Sequence, residues 1–153
     1  MKLFSNLTDA IYWGSVSDVS YLYGAHIEYL SPNHIYFKNP LMPSAQVIKE
    51  WSSKTTFQFE RKSPSLPLLK RGQAYDLFPS IESLPFASVL VEILFYNRYG
   101  AVVGKERTRD NSLSFVYPLE AYSYKIRLLS AGVQEFHFYS FRLRESQQES
   151  GDE

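Results

Sequence analysis

No cysteine occurs among the 153 residues, which removes disulfides, thiolate-bound zinc, iron–sulfur clusters and thiol nucleophiles at once. Histidine is scarce: His26, His34 and His137 are the whole supply, so an all-histidine metal site would consume every one. Neither sign of charge dominates, because 16 Lys and Arg are balanced by 16 Asp and Glu. Binding to nucleic-acid phosphates or anionic lipid needs an excess of positive charge, so no nucleic acid is expected as a partner. Long apolar runs are missing too. The longest stretch without a charged side chain, Asn39 to Ile48, is ten residues, against about 20 for a helix that crosses a membrane. At the N-terminus Lys2 is followed by Ser5, Asn6, Thr8 and Asp9 with no apolar core of a signal peptide, so a cytoplasmic protein is expected. Glycine numbers only seven. No phosphate-cradling loop, dinucleotide fingerprint, H-E-x-x-H helix or Gly-x-Ser-x-Gly elbow is present. Glu50, Glu60, Glu92 and Glu106 are dispersed, and spacing pairs none of them for acid–base work. The residues therefore point to no catalytic group, no metal and no cofactor.

What is abundant is aromatic surface: 11 Phe, 12 Tyr and 2 Trp make up 16% of the chain. Tyr and Phe suit pleated, half-buried sheets, and Tyr also suits interfaces. The pattern agrees, since period-two alternation recurs and helical periodicity is scarce. Tyr21, Tyr23, Ile27 and Tyr29 share one parity, Ser31-Pro32-Asn33 turns the chain, and Ile35 and Phe37 alternate on the way back. Phe57 with Phe59 and Tyr75 with Leu77 mark further short strands. Val89, Val91, Ile93 and Phe95 face Leu90, Leu94 and Tyr96 on the opposite parity, as in a strand covered on both faces. Leu113, Phe115 and Tyr117 precede Pro118; Tyr122, Tyr124, Ile126 and Leu128 precede Ala131-Gly132. Phe136 and Phe138 are even whereas Phe141 and Leu143 are odd, so one extra residue, a bulge, is expected near Tyr139-Ser140. Only one segment, roughly Ser44 to Ser53, could hold a short helix. Nine or ten short strands at this spacing predict an all-β, single-domain sandwich of jelly-roll type over residues 10–144. A lead-in of residues 1–9 precedes it, and an acidic, disordered tail of residues 145–153 follows.

Three groups of residues are candidates for function. The connector Ser63-Pro64-Ser65-Leu66-Pro67-Leu68-Leu69 leads into Lys70-Arg71, with Arg61-Lys62 before it. Proline stiffens this segment and keeps it out of a sheet interior. Leu66, Leu68 and Leu69 either close the core from below or form an exposed apolar patch that, with Lys70 and Arg71, docks a partner. Arg98, Lys105, Arg107 and Arg109 form a second basic cluster, but Glu106 and Asp110 are mixed in, which reads as a solvated rim. Trp13, Tyr21, Tyr23, Tyr36 and Trp51 are either core or platforms for stacking sugar rings. His26 and His34, which a hairpin would bring together, read as partly exposed strand residues rather than as a metal pair.

These residues also carry a resemblance. The runs IYWGSVSDVSYLYGAHIEYLSPNHIYFKNPLMPS, WSSKTTFQFERKSPSLPLLKRGQAY, FYNRYG and YPLEAYSYKIRLLSAG resemble the third, smallest accessory secretory protein of the accessory Sec system of Gram-positive bacteria. The similarity covers Ile11 to Leu143, with the YLYG-HIEYLSPN hairpin and the SPSLPLLKRG connector as its most specific pieces. The resemblance implies a β-sandwich similar to carbohydrate-binding modules. It also implies a cytoplasmic complex with two larger accessory secretory proteins, which works with an accessory SecA motor at a dedicated membrane channel. The cargo it implies is a glycosylated serine-rich-repeat adhesin. Sugar chemistry in such a complex belongs to a partner, so no catalytic residue is carried over. The alternative is that this chain itself recognises the glycan on the adhesin.

Overall fold

A computed structural model describes residues 10–13, 25–53 and 66–146. Expectations for Tyr21 and Tyr23, the Phe57–Phe59 strand, Arg61-Lys62, the lead-in and residues 147–153 lie outside the described residues. Within them the strands are β1 (His26–Ser31), β2 (His34–Lys38), β3 (Val47–Ser52), β4 (Ala74–Leu84), β5 (Val89–Tyr96), β6 (Val102–Thr108), β7 (Leu113–Val116), β8 (Ser123–Ser130) and β9 (Glu135–Glu145). They form a five-stranded sheet ordered β1-β2-β9-β4-β7 and a four-stranded sheet ordered β3-β8-β5-β6, every pair antiparallel. Among the described residues there is no helix, and none long and apolar enough to cross a membrane.

The alternation in sequence becomes two inward faces. Ile35, Phe37, Tyr75, Leu77, Phe115, Phe136, Phe138, Phe141 and Leu143 come from one sheet; Ile48, Trp51, Val91, Ile93, Phe95, Tyr124, Ile126 and Leu128 come from the other. Rings meet tilted or edge-on as well as stacked: Trp51 lies 4.9 Å from Phe141 at 77°, and Phe37 stacks on Phe136 at 4.9 Å and 16°. The expected bulge is where the phase slips. Ser80 pairs with Ser140 and Ile81 with Phe138, so Tyr139 is the extra residue.

Two readings are corrected. Ser44 to Ser53 is not a helix; Val47–Ser52 is β3. Val47 pairs with Leu129 and Lys49 with Leu128, so Ile48 is itself a bulge. Bulging puts two successive residues, Ile48 and Lys49, inside, and with Trp51 this imitates helical spacing. The Lys49 ammonium lies over the Trp13 and Trp51 rings, at 5.3 and 5.8 Å. The expected tail also starts too early, because Glu145 pairs with Tyr75 and the Ser146 N–H donates to the Ala74 carbonyl at 2.8 Å.

The outer face of the four-stranded sheet is a charge lattice. Register sets Glu50 opposite Arg127, Arg127 opposite Glu92, and Glu92 opposite Arg107. Arg127 Nε meets Glu50 Oε2 at 2.8 Å and its Nη1 lies 3.8 Å from Glu92 Oε1; Arg107 Nε meets Glu92 Oε2 at 2.9 Å. Two of the carboxylates that sequence leaves scattered, Glu50 and Glu92, are thus drawn together and neutralised by arginine.

Candidate functional site

The connector is divided by its anchors. Leu66 is buried and Leu69 packs partly against the core, so both follow the core-closing reading. Leu68 between them is 89% exposed, and Lys70 and Arg71 are exposed beside it. Buried tyrosines hold this presentation in place. Tyr124 Oη donates to the Pro67 carbonyl at 2.6 Å, and the Lys70 N–H donates to Tyr75 Oη at 2.8 Å. A further turn is fixed by the Gly72 N–H donating to the Tyr117 carbonyl at 2.7 Å. Gly72 has φ +79°, and a Cβ there would meet Leu119 at 3.1 Å, so the residue that closes this turn has to be small and left-handed.

Loops from both sheets gather at the same end. Leu119 and Tyr122 from the segment after β7, and Tyr99 from the β5–β6 turn, are exposed. The Tyr122 N–H donates to the Tyr96 carbonyl at 2.7 Å, which ties these two loops together. Exposed apolar groups here stand with Lys70, Arg71 and Arg98. Sequence reasoning identifies the connector but reads Tyr122 only as a strand residue and does not single out Tyr99 or Leu119. The available signal is Tyr99 beside Gly100 and Leu119 beside Pro118.

Burial pushes the Tyr75, Tyr117 and Tyr124 phenols upward, Tyr124 most. A phenol raised in the folded state stabilises fully below the ordinary value near 10, and that contribution is lost as pH rises through the folded value. Above about pH 10 the unfolded chain gives up these protons while the folded chain keeps them. The urea midpoint should therefore be lower at pH 11 than at pH 9, and an unchanged midpoint would refute the assignment.

The sugar-stacking candidates separate differently. Trp13 is 2% and Trp51 3% exposed, both inside the aromatic core, so neither offers a face to a sugar. This corrects the platform reading for both: an indole amid Phe136, Phe138 and Phe141 serves packing. Tyr36 is different, because it is half-buried on the outer face of the five-stranded sheet. Its Oη donates to Glu135 Oε1 at 2.5 Å, and that bond raises its pKa. Pairing of β2 with β9 brings His137 5.0 Å from Tyr36, and His34 stacks on Tyr139 at 4.4 Å. His34 Nε2 and His137 Nδ1 share a hydrogen bond of 2.9 Å. His26 instead meets Glu28 at 3.0 Å, so the hairpin does not join His26 to His34. Residues 103 apart in sequence make the His34–His137 contact, which no local pattern reveals. Among the described residues no three His, Cys, Asp or Glu gather as a metal site.

The chain is similar to known proteins. Residues 20–145 match the family described as accessory Sec secretory system ASP3. The accessory Sec system protein ASP3 of Streptococcus gordonii is 44% identical over 149 residues, 92% of this chain and 94% of that protein. A crystal structure of accessory secretory proteins 1, 2 and 3 of Streptococcus pneumoniae contains a chain with TM-score 0.85 and 36% identity, covering 90% of this chain and 96% of that one. The CBM22-1 xylan-binding domain of Paenibacillus barcinonensis Xyn10C shares the fold alone, with TM-score 0.52 and 6% identity over 95% of this chain and 98% of that one. The chain belongs to the ASP3 family of the accessory Sec secretory system.

Proposed function

We propose that this chain is a non-catalytic subunit of an accessory Sec export complex, gripping two larger accessory secretory proteins. In that role it assists an accessory SecA motor in exporting a glycosylated serine-rich-repeat adhesin. It acts on the cytoplasmic side, peripheral to the membrane. The observation that carries the reading is the connector end, where Leu68 is held outward by buried anchors with Lys70 and Arg71 at its side. An apolar tip fixed before contact loses little conformational entropy on docking, and adjacent cations steer an acidic partner. The likeness to a chain solved together with accessory secretory proteins 1 and 2 supports the same reading. Leu68→Ser combined with Lys70→Glu is expected to reduce co-purification with the larger proteins at least tenfold while leaving thermal unfolding within a few degrees of the parent. Undiminished co-purification would remove the connector end from the interface.

A second reading is supported by the Tyr36, His34, His137 and Tyr139 rings lying side by side, with Glu135 and Glu82 as acceptors. Here the chain recognises the adhesin's sugar. The buried indoles would not report such binding, so calorimetric titration with an N-acetylglucosamine-bearing peptide is the appropriate measurement. Binding lost in Tyr36→Ala favours this reading; absence of heat with the parent chain favours the scaffold role.

A further inference from the structure

Among the described residues, β4 has a neighbour along only part of one side. It pairs with β9 from Tyr75 to Leu84 but with β7 only from Ala74 to Leu77. The direction of its backbone groups follows from three bonds. The Ala74 and Leu84 carbonyls accept from Ser146 and Gln134 on the β9 side, whereas the Gln73 carbonyl accepts from Tyr117 on the β7 side. Successive residues of an antiparallel strand alternate in this respect. Even-numbered residues of β4 therefore bond toward β9, and Pro79, Ile81 and Ser83 direct their backbone groups to the side that β7 has left. Pro79 has no N–H to leave unpaired there. Ile81 and Ser83 each present both an N–H and a C=O, two residues apart, which is the spacing of a ladder.

The outermost strands are defended in ways this edge is not. β6 carries Lys105, Glu106 and Arg107, β7 is four residues long, and β1 is broken by a bulge beyond Tyr29. Beside the uncovered half of β4 runs a cleft of about 590 Å³, with Ile81, Val89 and Val91 as its apolar floor and Arg109 and Asp110 on the far wall. Phe86 stands at its mouth, 93% exposed. The turn that presents it is stapled: Ser88 Oγ donates to the Pro85 carbonyl at 2.5 Å, and the Ser88 N–H donates to Ser83 Oγ at 3.3 Å. Glu82 and Asp110 oppose Arg109 on the rim, a near-neutral surround that complements a strand without strong charge.

We infer that the uncovered edge of β4 at Ile81 and Ser83 takes an extended, weakly charged segment of a larger accessory protein as an added strand, with one apolar side chain in the cleft beneath Phe86. Strand addition gains affinity from main-chain bonds and selectivity from a side-chain pocket. The inference rests on the complex proposed above, and uses a surface at the other end of β4 from the connector.

The test is residue-resolved amide exchange on this chain alone and within the complex purified with both larger proteins. Glu82 and Leu84 amides, bonded to β9, should be slow in both states. Ile81 and Ser83 amides should be fast in the free chain and at least tenfold slower in the complex. Ser83→Pro, which deletes the outward N–H, should weaken assembly at least tenfold, whereas Ser83→Ala, which loses the same hydroxyl, should not. If the complex forms and Ile81 and Ser83 still exchange fast, strand addition is wrong and the connector reading stands. If no complex forms, both fall. Slowing that depends on the concentration of this chain alone would assign the edge to a second copy and overturn the inference.

Discussion

Trp51→Ala is expected to lower the unfolding free energy by about 3–5 kcal/mol, the usual cost of emptying an aromatic core position. Trp51 touches three of the rings that join the sheets: it stacks on Phe138 at 5.5 Å and meets Phe141 at 4.9 Å and Trp13 at 6.1 Å edge-on. It is also a tether, since its Nε1–H donates to the Tyr12 carbonyl at 2.8 Å. Ile11, next to Tyr12, exchanges two backbone bonds with Phe141, at 2.8 and 2.9 Å. Truncation therefore opens a cavity and removes one of the bonds that hold the segment 10–13. Against a typical domain stability of about 5–15 kcal/mol, the loss is large enough to appear as a shift of many degrees in calorimetry. Trp51→Phe keeps an aromatic ring in the core but gives up part of the indole's volume together with the tether, so its cost should be smaller, about 1–3 kcal/mol. Equal effects of the two substitutions would show that the hydrogen bond, not the packing, matters.

Arg127→Ala is expected to cost about 2–4 kcal/mol, less than the roughly 3–5 kcal/mol of a fully buried ion pair because the guanidinium is partly exposed. Removing it leaves two carboxylates on β3 and β5, the strands either side of β8, and the Glu92 side chain is only 4% exposed. Arg107 continues to hold Glu92 and Lys125 lies 3.5 Å from Glu50, so the sheet survives. The paired change Arg127→Leu with Glu92→Leu should be milder than Arg127→Ala, since no charge is left stranded in a dry place. Urea midpoints of the parent and the two variants decide; a double variant worse than the single would mean that the lattice is needed for more than charge balance.

Strand content and the inward faces were legible because sheet periodicity is local: Phe136 and Phe138 against Phe141 and Leu143 announced both a strand and its bulge. The same locality misled at Ile48, where a bulge without a visible phase change looked helical. β4 is longer than the short strand that Tyr75 and Leu77 mark, running on through Pro79, which lies where its missing N–H faces away from β9. Leu68 was legible as part of a stiff apolar segment, but Leu66 could be separated from it only by knowing that Tyr124 reaches Pro67 across 57 residues. Trp13 and Trp51 were ambiguous for a physical reason: an indole suited to a sugar is equally suited to a core, and only burial decides. The His34–His137 contact and the Glu50–Arg127–Glu92 lattice depend on which strands become neighbours, a non-local choice.

The eleven residues of β4 also fix a length. At about 3.3 Å per residue the strand measures roughly 35 Å, with Leu68 ahead of its first residue and Phe86 just past its last. Because β9 braces it from Tyr75 to Leu84, the strand works as a strut that neither stretches nor hinges. Whatever is seated at one tip would thereby be kept a set distance from whatever is seated at the other.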